Sequence, residues 1–170
     1  CDEAFCERLQ VAAPLLDIGE IGLPDHLFAD PALSEEGRER MRSHCRLGEA
    51  LLADAQSPEI ALAATIARGH HERFNGTGYP DGLAGQDIPL SARIVSVADV
   101  FDAVTSDRVY RKSLTMKQSV EIIERGAGTM FDPVVVEASA LRIEPRCDGE
   151  GLAKARVVQL GRDLGPAQSD

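Results

Sequence analysis

The chain has 170 residues and a formal charge of −10, with 44% hydrophobic residues, only 4% aromatics and no tryptophan. That length suits one domain with a substantial core, and a core drawn from Ala, Leu, Ile and Val favours packed helices over a sheet sandwich. The negative charge argues against a nucleic-acid polymer as partner, because the field of the whole molecule repels a polyphosphate. A small anionic ligand stays compatible if metal ions and a local basic patch reverse the sign within one cleft.

No apolar run approaches the ~20 residues of a membrane span, and the opening Cys-Asp-Glu-Ala-Phe-Cys-Glu-Arg lacks the basic start of a signal peptide. A soluble cytoplasmic domain without membrane contact is expected. Beginning at Cys1 partway into an apparent helix, the sequence reads as a piece of a longer protein. Cys1, Cys6, Cys45 and Cys147 have neither Cys-x-x-Cys spacing nor a dense framework, so reduced thiols are the default and neither a zinc ribbon nor a disulfide scaffold is indicated.

In chain order, Phe5, Leu9, Ala12, Ala13 and Leu16 recur at helical spacing, with Pro14 set to kink or break the helix. Asp17 follows among Leu15, Leu16, Ile18 and Ile21. A carboxylate in that company is costly to bury alone, so a cation, a metal or backbone N–H groups should partner it. Ser34 with Glu35 and Glu36 marks a helix start, and the spacing predicts one helix to about Ala55. His44 falls near its middle, on an apolar stripe with Met41, Leu47 and Leu51; a lone histidine there is more often a satisfied core residue than a ligand.

A helix from Pro58 or Glu59 ends at His70-His71 and runs into Glu-Arg-Phe-Asn-Gly-Thr-Gly-Tyr-Pro, residues 72–80. Two adjacent imidazoles beside a glycine-rich loop present metal-binding nitrogens at a cleft. The plainer alternative is that one histidine caps the helix and the other is solvated. The next helix, Ala92 to Thr105, is the most hydrophobic of the chain and carries Asp99 as a second candidate buried carboxylate; Asp102 suits a structural partner. Ser106 to Lys112 is basic, with Arg108 and Arg111 placed to reach over a pocket lined by the Asp99 helix. Thr115 caps a helix to about Arg125, stopped by Gly126 and Gly128, and Asp132-Pro133 opens a last one to about Leu141. Residues 145–170 read as a mostly irregular tail or linker, with Val157 to Leu160 as a short strand or helical turn.

Asp17, His44, His70, His71 and Asp99 are polar residues in apolar helical settings, spread over four predicted helices. Helix-borne imidazoles and carboxylates that converge are how helical folds build metal centres. The order of motifs, Asp-Ile-Gly-Glu-Ile-Gly-Leu-Pro-Asp, Met-Arg-Ser-His, His-His-Glu-Arg-Phe-Asn-Gly-Thr-Gly-Tyr-Pro and Ala-Arg-Ile-Val-Ser-Val-Ala-Asp-Val-Phe-Asp-Ala-Val-Thr-Ser-Asp-Arg-Val-Tyr-Arg, resembles the HD-GYP family, within the HD superfamily of all-helical metal-dependent phosphohydrolases.

The resemblance implies an all-α, HD-domain-like helical bundle over residues 1–144 with its N-terminal helix truncated, and a tail over 145–170. It also implies a bacterial signalling phosphodiesterase acting on cyclic di-GMP through a metal-activated water. Asp17 matches the catalytic, metal-bridging aspartate; His44, His70 and His71 match ligands of one metal; Asp99 matches a ligand of the other. Gly78, Tyr79 and Pro80 match the loop shaping the substrate cleft, and Arg108 and Arg111 match the residues contacting phosphate. The metal implied is Fe, Mn or another divalent ion. Diguanylate cyclases or other signalling domains are implied partners through the Gly-Tyr-Pro loop.

Two departures bear on activity. Leu16 stands where the family has histidine, and leucine cannot coordinate a metal. Glu20 stands where the family has lysine, replacing a cation near phosphate with an anion. The expectation is therefore one occupied metal site, with two as the alternative, and hydrolysis impaired or lost, against the alternative of an active phosphodiesterase. Glu20 acting as a compensating ligand and a metal-free scaffold of hydrogen-bonded histidines are further readings.

Overall fold

The computed structural model describes residues 2–29, 32–54, 56–107 and 112–140, and every structural statement below concerns these. Helix α1, Glu3–Ala12, begins where the Asp2 carboxylate accepts the Phe5 N–H at 2.7 Å. It buries Cys6, Leu9 and Ala12, one face at helical spacing. Pro14, which lacks an N–H, falls in a tighter 3-10 turn at Ala13–Leu15 rather than continuing the α-helix. Leu16 emerges from it almost fully buried, in the apolar core with Leu9, Ala12, Ala63 and Ile66.

A second 3-10 segment, Ile18–Gly22, follows Asp17, and a single turn, α2, spans His26–Ala29. Ser34 caps α3, Glu35–Arg42, by accepting the Gly37 N–H at 3.1 Å. The helix expected to run unbroken to about Ala55 is interrupted at one residue: Ser43 separates α3 from α4, His44–Leu52, yet keeps helical angles, its N–H donating to the Glu39 carbonyl and its carbonyl accepting the Leu47 N–H. The Ser43 hydroxyl donates to the Arg40 carbonyl at 2.6 Å, the local side-chain bond that competes with regular helix. His44 is buried, as its place on the apolar stripe predicts, whereas Leu51, expected on the same side, is exposed.

Helix α5, Pro58–Gly69, carries proline in its first turn and buries Ala63, Ala64, Ile66 and Ala67. Its small residues let neighbours approach: a Cβ at Gly48 of α4 would lie 3.0 Å from that of Ala67, and one at Gly69 would lie 3.0 Å from that of Ala92. Contacts with α1, α4 and α6 make α5 the central element. Helix α6, Leu90–Thr105, is buried on most sides, from Ser91 to Val104. Helix α7, Met116–Arg125, has a reciprocal capping box between Thr115 and Gln118. Helix α8, Pro133–Ala140, closes the core through Val135 and Val136.

Among the described residues there is no strand, only the isolated pairings Asn75–Ala84 and Ala127–Phe131, so the fold is all-α. No described helix is long and apolar enough to cross a membrane. Arg108, Arg111 and the tail expected over 145–170, Val157 to Leu160 included, lie outside the described residues.

Candidate metal centre

The ends of three elements meet at one point: the residue before the Ile18–Gly22 turn, the first turn of α4 and the C-terminus of α5. Asp17 is partly exposed, while His44 and His70 are 3% and 2% exposed and so withdrawn from bulk water. Both buried rings have their orientation set by backbone. Nδ1 of His44 donates to the Met41 carbonyl at 2.7 Å, and Nδ1 of His70 to the carbonyls of Ile66 and Ala67 at 3.1 and 3.0 Å. With the proton on Nδ1, each Nε2 presents a lone pair.

Those two Nε2 atoms stand 3.4 Å apart, with Oδ1 of Asp17 3.3 Å from that of His70 and 3.6 Å from that of His44. These separations bring two imidazole nitrogens and a carboxylate oxygen within reach of one cation, a metal ion or, in its absence, a proton held between His70 and Asp17. The residues suit a divalent ion: the donors are imidazole and carboxylate, the spacing is that of ligands on one ion, and the backbone bonds supply the ring orientation metal-binding histidines need. Burial works to raise the Asp17 pKa, but the bond with His70 and the fields of His70, His44 and His71 outweigh it and hold the carboxyl below its ordinary range.

His71 completes the group. Its ring centroid lies 4.1 Å from that of His70, 5.1 Å from that of His44 and 4.8 Å from that of Tyr79. Burial, followed by the neighbouring histidines, lowers its pKa to about 3, so the ring is neutral and ligand-ready at physiological pH. Cys45, which the sequence did not single out, belongs to the same group. The ligand atoms of His44, Cys45, His70 and His71 all lie within 4.8 Å of one another. Burial, then the negative fields of Asp17 and Glu72, pushes the Cys45 thiol up to about 12. The visible clue was a cysteine directly after a histidine, as His71 directly follows His70.

The Gly-Tyr-Pro loop is pinned beside this group by a residue the sequence reading also passed over. Glu72 is 4% exposed, and its carboxylate accepts the backbone N–H groups of Asp81, Gly82 and Leu83 at 2.7, 3.2 and 3.0 Å. Its clue was an acid between two imidazoles and a turn. Arg68 adds a two-pronged bond to Asp81 at 2.7 and 2.9 Å and an ion pair with Glu49, while Arg46 donates to the Pro80 carbonyl at 3.0 Å. Gly78 is required by space: a Cβ there would fall 2.3 Å from the Arg73 nitrogen and 2.6 Å from the His71 carbonyl oxygen. Tyr79, before a cis Pro80, faces His71 on one side and takes the Arg42 guanidinium 5.4 Å from its ring centroid.

Asp99 is only partly buried on α6, which corrects the expectation of a core carboxylate. It lies outside the His44, Cys45, His70 and His71 group, but near enough to raise the Glu20 and Tyr79 pKa values electrostatically. Burial, followed by the Asp17 charge, sets the Glu20 carboxyl above its usual range. Glu20 thus lies within electrostatic reach of Asp17 and Asp99. Leu16, by contrast, packs into the core.

The family model described as "HD domain" matches residues 1–135. The chain is 43% identical over 152 residues to the cyclic di-GMP phosphodiesterase response regulator RpfG of Xanthomonas campestris pv. campestris, covering 87% of this chain and 40% of that protein. It is 44% identical over 137 residues to a cyclic di-GMP phosphodiesterase of Thermotoga maritima, covering 80% and 37%. It is also 35% identical over 136 residues to 3'3'-cGAMP-specific phosphodiesterase 2 of Vibrio cholerae, covering 79% and 26%. The chain spans at most about two-fifths of the length of these relatives. With a helical fold, converging His and Asp side chains and a match over most of its described length, this chain belongs to the HD domain family.

Proposed function

We propose that this is an HD-GYP-type cyclic di-GMP signalling domain of the cytoplasm that holds one divalent ion, Fe, Mn or another, at Asp17, His44, His70 and His71, and whose phosphodiesterase activity is impaired. The observation that carries the metal reading is the convergence of the His44 and His70 Nε2 atoms with Oδ1 of Asp17 at 3.3 to 3.6 Å. Relatives named as cyclic di-GMP phosphodiesterases support the nucleotide. An ion held there supplies Lewis-acid activation of water and neutralises charge on phosphate.

The chain's own residues then divide the work. Asp17, on the exposed side of the cluster, faces the substrate's approach. Tyr79, held between the His71 ring and the Arg42 guanidinium, lines the wall beside the cluster with Gly78 and Pro80, and Arg108 and Arg111 are the proposed phosphate contacts. The same loop is the proposed contact for a diguanylate cyclase. Leu16 and Glu20 are the source of the impairment. Leu16, an apolar side chain in the core, supplies no nitrogen ligand where a second ion would need one, and Glu20 adds negative charge where an anionic phosphodiester must sit. Losing about 1.4 kcal/mol of transition-state stabilisation slows turnover about tenfold, and a missing ion forfeits several such increments.

The test is metal analysis of the purified domain with turnover assays on cyclic di-GMP and 3'3'-cGAMP in added Mn(II) or Fe(II). One ion per chain with dinucleotide binding and little turnover is expected, and Leu16→His with Glu20→Lys should raise turnover about tenfold or more. Two ions per chain with rapid formation of linear dinucleotide would refute the impaired reading and leave an active phosphodiesterase.

A further inference from the structure

We infer that Cys45 is a thiolate ligand of the ion, adding one sulfur to the three histidines and Asp17, so that the site prefers a thiophilic metal such as Zn(II) over Mn(II). The inference rests on the metal-binding reading proposed above and deepens it.

In a tetrahedral zinc site, metal–nitrogen bonds of about 2.0–2.1 Å place two nitrogens about 3.3 Å apart, and a metal–sulfur bond of about 2.3 Å places sulfur about 3.5 Å from a nitrogen. The His44 and His70 Nε2 atoms are 3.4 Å apart, and Sγ of Cys45 is 3.5 Å from Nε2 of His44. These are edges of one coordination polyhedron, nitrogen to nitrogen and nitrogen to sulfur. Cys45 has no exposed surface, carries no disulfide and shares the buried end of the cluster, while Asp17 is on the open side. His44, Cys45 and His70 therefore reach an ion from the protein interior, with His71 beside Tyr79.

Fold and chain both prepare this arrangement. The interruption at Ser43 makes His44 and Cys45 the first two residues of α4, and the Gly48–Ala67 contact brings that end of α4 against the end of α5. Binding converts the thiol to thiolate: the S–H bond breaks, a sulfur–metal bond forms with the sulfur electron pair, and the proton leaves to solvent. A soft sulfur in place of an oxygen or water shifts selectivity toward Zn(II) and away from Mn(II), which takes carboxylate, carbonyl and water.

Cobalt(II) substitution of the full chain reads sulfur and nitrogen separately. Wild type should develop visible ligand-field bands together with a near-ultraviolet sulfur-to-cobalt charge-transfer band. Cys45→Ser should keep the visible bands and lose the charge-transfer band, although Cys1, Cys6 and Cys147 remain. Its affinity for Zn(II) should fall about tenfold or more while that for Mn(II) changes little. Should the variant fail to fold, X-ray absorption of zinc-loaded wild type decides, with one sulfur neighbour at about 2.3 Å expected. Ligand-field bands without charge transfer, or a zinc shell of nitrogen and oxygen only, would overturn the role of Cys45 and leave the histidine site standing. An absence of any cobalt spectrum would overturn both.

Discussion

Glu72 shows how much one side chain can organise here. Its carboxylate gathers three backbone N–H groups of the loop after Pro80, all from a buried position. Glu72→Gln replaces one acceptor oxygen with an NH₂ group that faces backbone donors. Bonds to a charged acceptor contribute about 1.5–3 kcal/mol each, so a loss of about 3 kcal/mol in urea-melted stability is expected, with hydrogen exchange at Asp81 to Leu83 accelerated more than in α6. A loss under about 0.5 kcal/mol would mean that water satisfies these donors equally well. The residue was in plain view within the His-His-Glu stretch. Its partners lie nine to eleven residues on, across a reversal of the chain, and no periodicity reports such a bond.

Between elements, the decisive contact is that of the Ile18–Gly22 turn against α4. A Cβ added at Gly19 would fall 2.0 Å from the His44 carbonyl oxygen and 2.5 Å from the Gly48 nitrogen, both backbone atoms with no rotamer to yield. Gly19→Ala must push the turn away from α4 and carry Asp17 with it. The expected outcome is a stability loss of about 3 kcal/mol, at the upper end for overpacking, together with weaker binding of Zn(II) or Co(II) by titration. Unchanged metal affinity in a folded Gly19→Ala protein would separate Asp17 from the ion. The starts of α3, α7 and α8 were legible from Ser34, Thr115 and Asp132-Pro133, because caps and prolines act locally. The interruption between α3 and α4 was not, because Ser43 keeps helical angles and Met41, His44 and Leu47 around it fit one continuous stripe.

At the scale of the molecule, the cluster ties stability to pH. The His71 pKa is lowered from 6.5 to about 3, by burial first and the adjacent histidines second. The unfolded chain therefore binds this proton more readily than the fold. The stability that a neutral His71 confers is fully present above about pH 6.5 and is lost as pH falls toward about 3, at no more than about 1.4 kcal/mol per pH unit from this group. Urea midpoints of the metal-free protein should fall from pH 7.5 to pH 5, and His71→Gln should flatten that slope. An ion on the cluster should raise the midpoint at neutral pH by mass action and steepen its loss in acid, since protons compete for the same nitrogens.

Helix content, the order of the motifs and the polar residues set in apolar surroundings were determined by the sequence alone, because capping, periodicity and breaker residues operate within a few positions. The distances at which Asp17, His44 and His70 converge, the inclusion of Cys45, the burial of Leu16 and the partial exposure of Asp99 were decided only by the tertiary structure. The physical reason is distance along the chain. His44 and His70 are 26 residues apart, and what brings their nitrogens to 3.4 Å is the close approach of glycine and alanine across α4 and α5, a matter of packing between helices.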